Sequence, residues 1–416
     1  MHFFARNNGQ LWAEGVSLAT LAEQVGTPCY VYSRATLERH YQVMDQALAG
    51  VDHLICFAVK ACSNIAILQL LARLGSGFDI VSGGELARVL RAGGDPRKVV
   101  FSGVGKQPHE IAQALQVGIH CFNVESEQEL ATIERIAAEL GLVAPISVRV
   151  NPEVDPRTHK YIATGLKSSK FGVAADVAET MYQRAARSKH LHIVGIDCHI
   201  GSQIMEIAPF VEAVGRVVEL AERLRGQGIA LEHLDVGGGL GIVYRDEAPA
   251  LPEQLGEAVG QIARRHHLRL IMEPGRVIVG NAGILLTRVL GIKSNGDKDF
   301  VIVDAAMNDL IRPALYDAWH RLELVGASED RPLALVDVVG PVCESGDFLA
   351  QDRQLPTCQN GDLLAVFGAG AYGFSMSSNY NSRPRSAEVL ADGSTYQVIR
   401  SRETVADLWR GEMLVG

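Results

Sequence analysis

The sequence predicts an α/β fold: a (β/α)8 barrel with a second, mainly β C-terminal domain. Three observations carry this. Eight short apolar runs are separated mostly by segments of helical periodicity, the pattern of eight β-then-α units. After about residue 280 the pattern changes to short strands between turn residues. The chain also has 416 residues, comfortable for two domains and long for one.

The first run is LICFAVK (54–60). Ile67, Leu70, Leu71 and Leu74 then recur at helical spacing, with Ser63 or Asn64 as cap and Gly75 as stop. FDIVS (78–82) follows, and Ser82 and Glu85 have capping-box spacing before a stripe of Leu86, Val89 and Leu90. VVFSG (99–103) leads into Pro108, Ile111 and Leu115, ended by Gly118. CFNVES (121–126) again ends in a capping box, Ser126 with Glu129, and Gly141 closes that helix. ISVRVNP (146–152), IVGIDCHIG (193–201), LEHLDVGGG (231–239) and LRLIMEPGR (268–276) complete the eight. A doubly wound sheet is the competing reading, but it calls for a Gly-rich turn after the first strand, and FAVKACSN is not one.

The connection 152–172 shows no period and carries Arg157, His159, Lys160, Lys167 and Lys170 in an acidic protein. It reads as a lid near an anionic ligand or as a solvated basic loop. GILLTRVLGIKS, DFVIVDAA, LALVDVVG, GDLLAVFG and TYQVIRS supply the second domain's strands, and CYVYS (29–33) is placed to return and pair with them. The expected division is 36–280 for the barrel and 1–35 plus 281–416 for the mainly β domain.

Composition bounds the function. Hydrophobic residues are 47% and charged residues 21%, enough for large cores. Asp+Glu total 48 against 39 Lys+Arg, a net charge of −9, which argues against nucleic acid or an anionic membrane as partner. No apolar stretch approaches the roughly 20 residues of a membrane helix, and MHFFARNNGQLW does not resemble a secretory signal. Seven scattered cysteines without a C-x-x-C pair fit reduced thiols in a cytoplasm and offer no metal site.

In such a barrel, functional side chains sit at the C-terminal ends of the strands. Lys60, His199, Gly237-Gly238-Gly239, Glu273 and Arg276 all fall there. A desolvated amine at Lys60 can attack an aldehyde, though a lone lysine at a strand end more often simply snorkels into solvent. The glycines expose backbone N–H groups to an anion, and Ser202 adds a hydroxyl; the plain alternative is a turn. Glu273 beside a pyridine nitrogen would keep it protonated, or else pair with Arg276. His199 could stack on a flat ring or simply be packed. Together the four features describe a pyridoxal 5'-phosphate site.

FAVKACSN, HIGSQ, DVGGGLG and MEPGR resemble, in order and spacing, the fold-type III pyridoxal-phosphate decarboxylases, which share the alanine-racemase-like barrel. MNDLIRPALYDAWH, GPVCESGD and GAYGFSMSSNYNSRP resemble the diaminopimelate decarboxylase family within that group. The resemblance spans nearly the whole chain and implies roles. Lys60 is similar to the Schiff-base lysine and His199 to the histidine stacked on the ring. Ser202, Gly237, Gly238, Gly239 and Gly275 resemble phosphate ligands, and Glu273 the partner of the ring nitrogen. Arg276, Arg312 and Tyr316 resemble the clamp on the substrate's far carboxylate, and Glu344 the partner of its far ammonium. Tyr372 resembles the tyrosine that touches phosphate and substrate, and Cys343 the proton donor. In the family, the Cys343 and Glu344 motif comes from the other subunit, which implies a homodimer.

Without the family, Arg312 would read as a surface arginine before a proline turn and Cys343 as an inert buried thiol. Relatives acting on ornithine, lysine, arginine or a carboxylated polyamine give no reason for an arginine clamp. A non-catalytic pyridoxal-phosphate carrier gives none for an intact Lys60 and Cys343. A racemase of this fold pairs the ring nitrogen with a weaker acid than Glu273.

Overall fold

The fold is described from a computed structural model, over residues 2–155, 164, 169–327 and 330–416. It divides into two compact units: residues 40–242 with 248–277, and residues 1–39, 243–247 and 278–416.

The first unit is a closed parallel barrel of eight strands: β1 (His53–Ala58), β2 (Gly77–Ile80), β3 (Val99–Phe101), β4 (Cys121–Val124), β5 (Ala144–Arg149), β6 (Leu191–Asp197), β7 (His233–Asp235) and β8 (Arg269–Met272). Each strand pairs with the next, and β8 returns to β1 with Leu270 opposite His53. All eight predicted runs therefore form strands of one barrel. They read as continuous apolar runs because helices cover the outside while side chains fill the inside. The inner layer at the N-terminal end is apolar: Leu54, Cys56, Val100, Cys121, Val194 and Ile271.

The helices start where their caps predict. The Asn64 side chain accepts from the Ala66 N–H, Ser82 from Glu85 and Ser126 from Glu129. The return arm of the two capping boxes differs from the expected pattern. Glu85 takes the Val81 N–H at 2.8 Å and Glu129 the Glu125 N–H at 3.1 Å, each one residue before the cap. Gly118 and Gly141 end their helices in the left-handed conformation that glycine enters without a Cβ clash.

The second unit is mainly β. Gly283–Ser294, Asp299–Val303, Leu333–Val339, Leu363–Val366 and Thr395–Arg400 are strands, as the sequence predicts. Cys29–Ser33, buried at all five positions, lies between Gly283–Ser294 (antiparallel) and Ala387–Asp392 (parallel). Short strands at Phe4–Asn7, Gln10–Ala13 and Val16–Ser17 form a separate small sheet that the sequence reading did not anticipate. Of the basic residues in the connection 152–172, Arg157, His159, Lys160 and Lys167 lie outside the described residues, so the lid reading does too. Lys170 is described, with its ammonium 5.2 Å from the Phe171 ring centroid.

Candidate active site

The polar residues of the barrel gather at the C-terminal ends of its strands. Lys60 sits in a one-turn helix, Val59–Ala61, directly after β1. Its ammonium pairs with the carboxylate of Asp79 on β2, which is fully buried. Glu273, just past β8, is 6% exposed. One of its oxygens accepts from the Ser102 hydroxyl and the Asn123 amide, both at 3.4 Å.

Around it lie Asp79, Asp197 and Asp235, all buried. Ligand oxygens of Asp197, Asp235 and Glu273 fall within 4.8 Å of one another. Burial first, and then the neighbouring carboxylates, push the Glu273 and Asp197 carboxyls well above the ordinary range. Burial pushes Asp235 up to about 6. Arg149 pairs with Glu125 at 3.3 Å and reaches Asp197 at 3.9 Å.

With Glu125 the acids number five against Lys60 and Arg149, an excess of buried negative charge that a low-dielectric interior penalises. Asp79 Oδ1, Asp197 Oδ1 and Asp235 Oδ2 are buried without a hydrogen-bond partner among the described residues. A protonated pyridine nitrogen is the kind of cationic donor such a cluster accommodates, so the residues present fit pyridoxal phosphate.

His199 follows β6. Burial first, then Arg149 and Lys60, push its imidazole well below its ordinary range, so it is neutral. Its Nδ1 accepts from the Gly238 N–H at 3.2 Å, which leaves the proton on Nε2. A neutral flat ring is suited to lie against a cofactor ring.

The glycine run is more specialised than three equivalent donors. The Gly237 N–H goes to Asp235 Oδ1 at 2.9 Å and that of Gly238 to His199. No residue described accepts the Gly239 N–H, so Gly239 is the member placed to give its N–H to an anion. Gly238 is required for space: a Cβ there would lie 2.1 Å from the Glu273 carbonyl oxygen. Beside them the Ser202 hydroxyl accepts from Arg276 at 3.0 and 3.3 Å. Arg276 is 7% exposed. Gly275 packs its Cα side against Ala58 and Ala61, where a Cβ would come within 3.2 Å of both. The barrel thus brings together Lys60, His199, Ser202, Gly237, Gly238, Gly239, Glu273, Gly275 and Arg276.

The remaining predicted residues belong to the β unit. Arg312 opens the short helix Arg312–Tyr316 and is 6% exposed, a buried arginine rather than a surface one. Its Nη1 lies 3.0 Å from His320 Nε2, and its guanidinium carbon lies 4.7 Å from the Tyr244 ring centroid. Tyr316 closes the same helix, half-buried. Cys343 is exposed, whereas Cys29, Cys56, Cys62, Cys121 and Cys198 are buried, so it is not an inert core thiol. The Cys343 N–H donates to Asn381 Oδ1 at 2.9 Å, and Glu344 accepts from the Tyr380 hydroxyl at 3.2 Å. Tyr372 adopts φ +56°, a left-handed conformation costly for a tyrosine and concentrated at functional sites.

Sequence reading missed Asp79, Asn123, Arg149, Asp197 and Asp235. Their signal was present: each is a polar residue inside a strand buried on both faces.

Residues 34–280 match the family model described as "Pyridoxal-dependent decarboxylase, pyridoxal binding domain". The chain is 57% identical over 415 residues to the diaminopimelate decarboxylase of Pseudomonas aeruginosa, covering 100% of both chains. It is 55% identical to that of Vibrio cholerae, covering 100% of this chain and 99% of the relative. Among solved structures, diaminopimelate decarboxylase from Helicobacter pylori complexed with L-lysine superposes with a TM-score of 0.91 at 45% identity, over 94% of this chain and 98% of the other. The chain belongs to the diaminopimelate decarboxylases, within the pyridoxal-dependent decarboxylase family.

Proposed function

We propose that this chain uses pyridoxal phosphate to decarboxylate meso-2,6-diaminopimelate to L-lysine and CO2, the last step of bacterial lysine biosynthesis. The observation that carries this reading is the rim of the barrel: Lys60 with Asp79, beside Glu273 in its cluster of carboxyls. When bound, pyridoxal phosphate supplies an aldehyde for the substrate amine and an electron-poor ring for the electron pair left on the substrate carbon when CO2 departs.

The chain's own residues do the rest. Lys60 would hold the cofactor through its aldehyde, and Asp79, paired with the Lys60 amine in the structure, would fix that amine in place. Glu273 would pair with the protonated ring nitrogen, with Asp235 and Asp197 beside it in the same cluster. His199 would cover the ring face. Ser202, Gly239, Gly275, Arg276 and Tyr372 would hold the phosphate, with Gly237 and Gly238 shaping the cradle. Arg276, Arg312 and Tyr316 take the far carboxylate, which a guanidinium can bind through two parallel bonds. Glu344 takes the far ammonium. Cys343 gives a proton to the carbon that has lost CO2.

On this reading residues 36–280 bind the cofactor, and residues 1–35 with 281–416 complete the active site and the dimer interface. The exposure of Cys343 and Glu344 supports their service in the neighbouring subunit of a homodimer. No helix among the described residues is long and apolar enough to cross a membrane; the cytoplasmic placement rests on the odd number and scatter of the cysteines.

The test is a side-by-side assay of diaminopimelate, lysine, ornithine and arginine. Diaminopimelate should be preferred by well over tenfold in kcat/KM. Arg312→Ala should erode that preference far more than it weakens cofactor binding. Equal use of ornithine or lysine would sink the assignment, and equal losses of both properties in Arg312→Ala would sink the clamp.

A further inference from the structure

We propose that His320 is a positioning residue for the substrate's far carboxylate: as a neutral imidazole it fixes the guanidinium of Arg312. The inference rests on the reading of Arg312 as part of the carboxylate clamp.

The geometry lies wholly within the β unit. Arg312 opens its short helix, and Asp317 at the other end takes a left-handed conformation (φ 51°) and donates its N–H to the Arg312 carbonyl. The chain turns back there, so His320, eight residues on, returns to Arg312. His320 is fully buried. Its two ring nitrogens face partners of opposite character. Nδ1 lies 2.8 Å from the Phe367 carbonyl oxygen, which can only accept. Nε2 lies 3.0 Å from Arg312 Nη1, which can only donate. One tautomer satisfies both: a proton on Nδ1 and a lone pair on Nε2. A doubly protonated ring would aim an N–H at a guanidinium N–H.

Tyr244 completes the seat. Its ring packs edge-on against His320, 5.4 Å between centroids at 80°, and lies 4.7 Å from the Arg312 guanidinium carbon. The guanidinium is therefore held at one edge by an acceptor and on one face by a ring. An imidazole acceptor does this without adding negative charge of its own. Arginine carries five donors in a fixed fork, so one guanidinium can bond an imidazole and a carboxylate together. Holding the fork in one orientation lowers the ordering cost of each substrate bond.

The test uses the pyridoxal-phosphate-loaded enzyme. His320→Asn keeps a donor near the Nδ1 position but loses the acceptor for Arg312. His320→Gln places an acceptor near the Nε2 position. KM for diaminopimelate should rise about tenfold in His320→Asn, the worth of one hydrogen bond to a charged group. In the same variant kcat and cofactor affinity should change much less. His320→Gln should recover most of the KM. Arg312→Ala should raise KM at least as far, and adding His320→Asn to it should cost little more.

If Arg312→Ala raises KM but His320→Asn does not, His320 is not the positioning residue while the clamp stands. If Asn and Gln raise KM equally, the acceptor at Nε2 is not what matters, and the inference fails. If Arg312→Ala leaves KM unchanged, the clamp reading fails and takes this inference with it. Should His320→Asn not fold, His320→Gln carries the test alone. A KM near wild type with a lowered melting temperature supports the proposal, and a KM matching Arg312→Ala overturns it.

Discussion

Gly238→Ala places one methyl group where the ends of β7 and β8 meet. The new Cβ would sit 2.1 Å from the Glu273 carbonyl oxygen and 3.0 Å from its carbonyl carbon. Both are backbone atoms, so no side chain can swing aside. Restoring an ordinary contact of ~3.5 Å requires the two segments to part by more than 1 Å. That movement strains the Glu273 N–H bond to the Gly237 carbonyl at 2.9 Å and the Gly238 N–H bond to His199 at 3.2 Å. Two hydrogen bonds at ~1 kcal/mol each and an overpacking cost of ~1–3 kcal/mol give a loss of about 3–5 kcal/mol in apoprotein stability. Displacing Glu273 should also weaken cofactor binding by roughly 10- to 100-fold, one charge-assisted bond.

Urea unfolding of the apoprotein and a spectroscopic titration with pyridoxal phosphate measure the two effects. Gly215→Ala, in the helix Ala208–Gly226, is the control: nothing lies within 4 Å of its Cβ position. It should stabilise by ~0.5–1 kcal/mol, because alanine is the better helix former. If Gly238→Ala unfolds at the wild-type urea concentration and binds cofactor as tightly, the steric argument for the glycine is wrong.

Lys60→Ala should abolish turnover and also destabilise the apoprotein by about 2 kcal/mol, less than for a fully buried pair because the Lys60 side chain is 37% exposed. Adding Asp79→Asn should recover part of that loss in urea melts; a further loss would argue against their coupling. Burial first, then His120 and Arg269, hold the His233 imidazole down at about 3. The unfolded chain therefore takes up that proton as pH falls through about 6.5 while the folded protein refuses it, so stability drains away between pH 6.5 and 3. The slope reaches ~1.4 kcal/mol per pH unit. Asp235, raised to about 6, works in the opposite direction, so the measurement is the difference between wild type and His233→Gln; identical slopes would refute it. Mixing Lys60→Ala with Cys343→Ala subunits should restore about a quarter of wild-type activity if each site draws on both chains of a dimer. No recovery after verified subunit exchange would remove the shared-site claim.

The barrel was legible because its strands are buried on both faces, which writes each as an unbroken apolar run. Lys60, His199 and Glu273 were legible because they stand at the ends of those runs. Asp79, Arg149, Asp197 and Asp235 were not, because a window scored as apolar absorbs one charged residue. Yet a charge inside such a strand has nowhere to point except the barrel core or the helices around it. The glycine run illustrates a different limit. Its position announced an anion cradle, but which N–H groups were already committed depended on Asp235 and His199, which come together only in the fold. The small N-terminal sheet was missed because its short strands alternate or face solvent and so write no apolar run. The caps were read correctly from Ser82 and Ser126, while the reach of Glu85 and Glu129 to the preceding N–H depends on how each chain enters its helix.

The strand Cys29–Ser33 has a consequence for how the protein is made. Its neighbours, Gly283–Ser294 and Ala387–Asp392, leave the ribosome roughly 250 and 350 residues after it. At ~5–20 residues per second this is a delay on the order of tens of seconds. Throughout it, a five-residue strand buried at every position in the finished protein has both edges unpaired. The barrel, by contrast, is encoded almost without interruption and can close in the meantime. Synthesis therefore imposes an order, barrel first and sheet last, and this strand must wait through the first for the second.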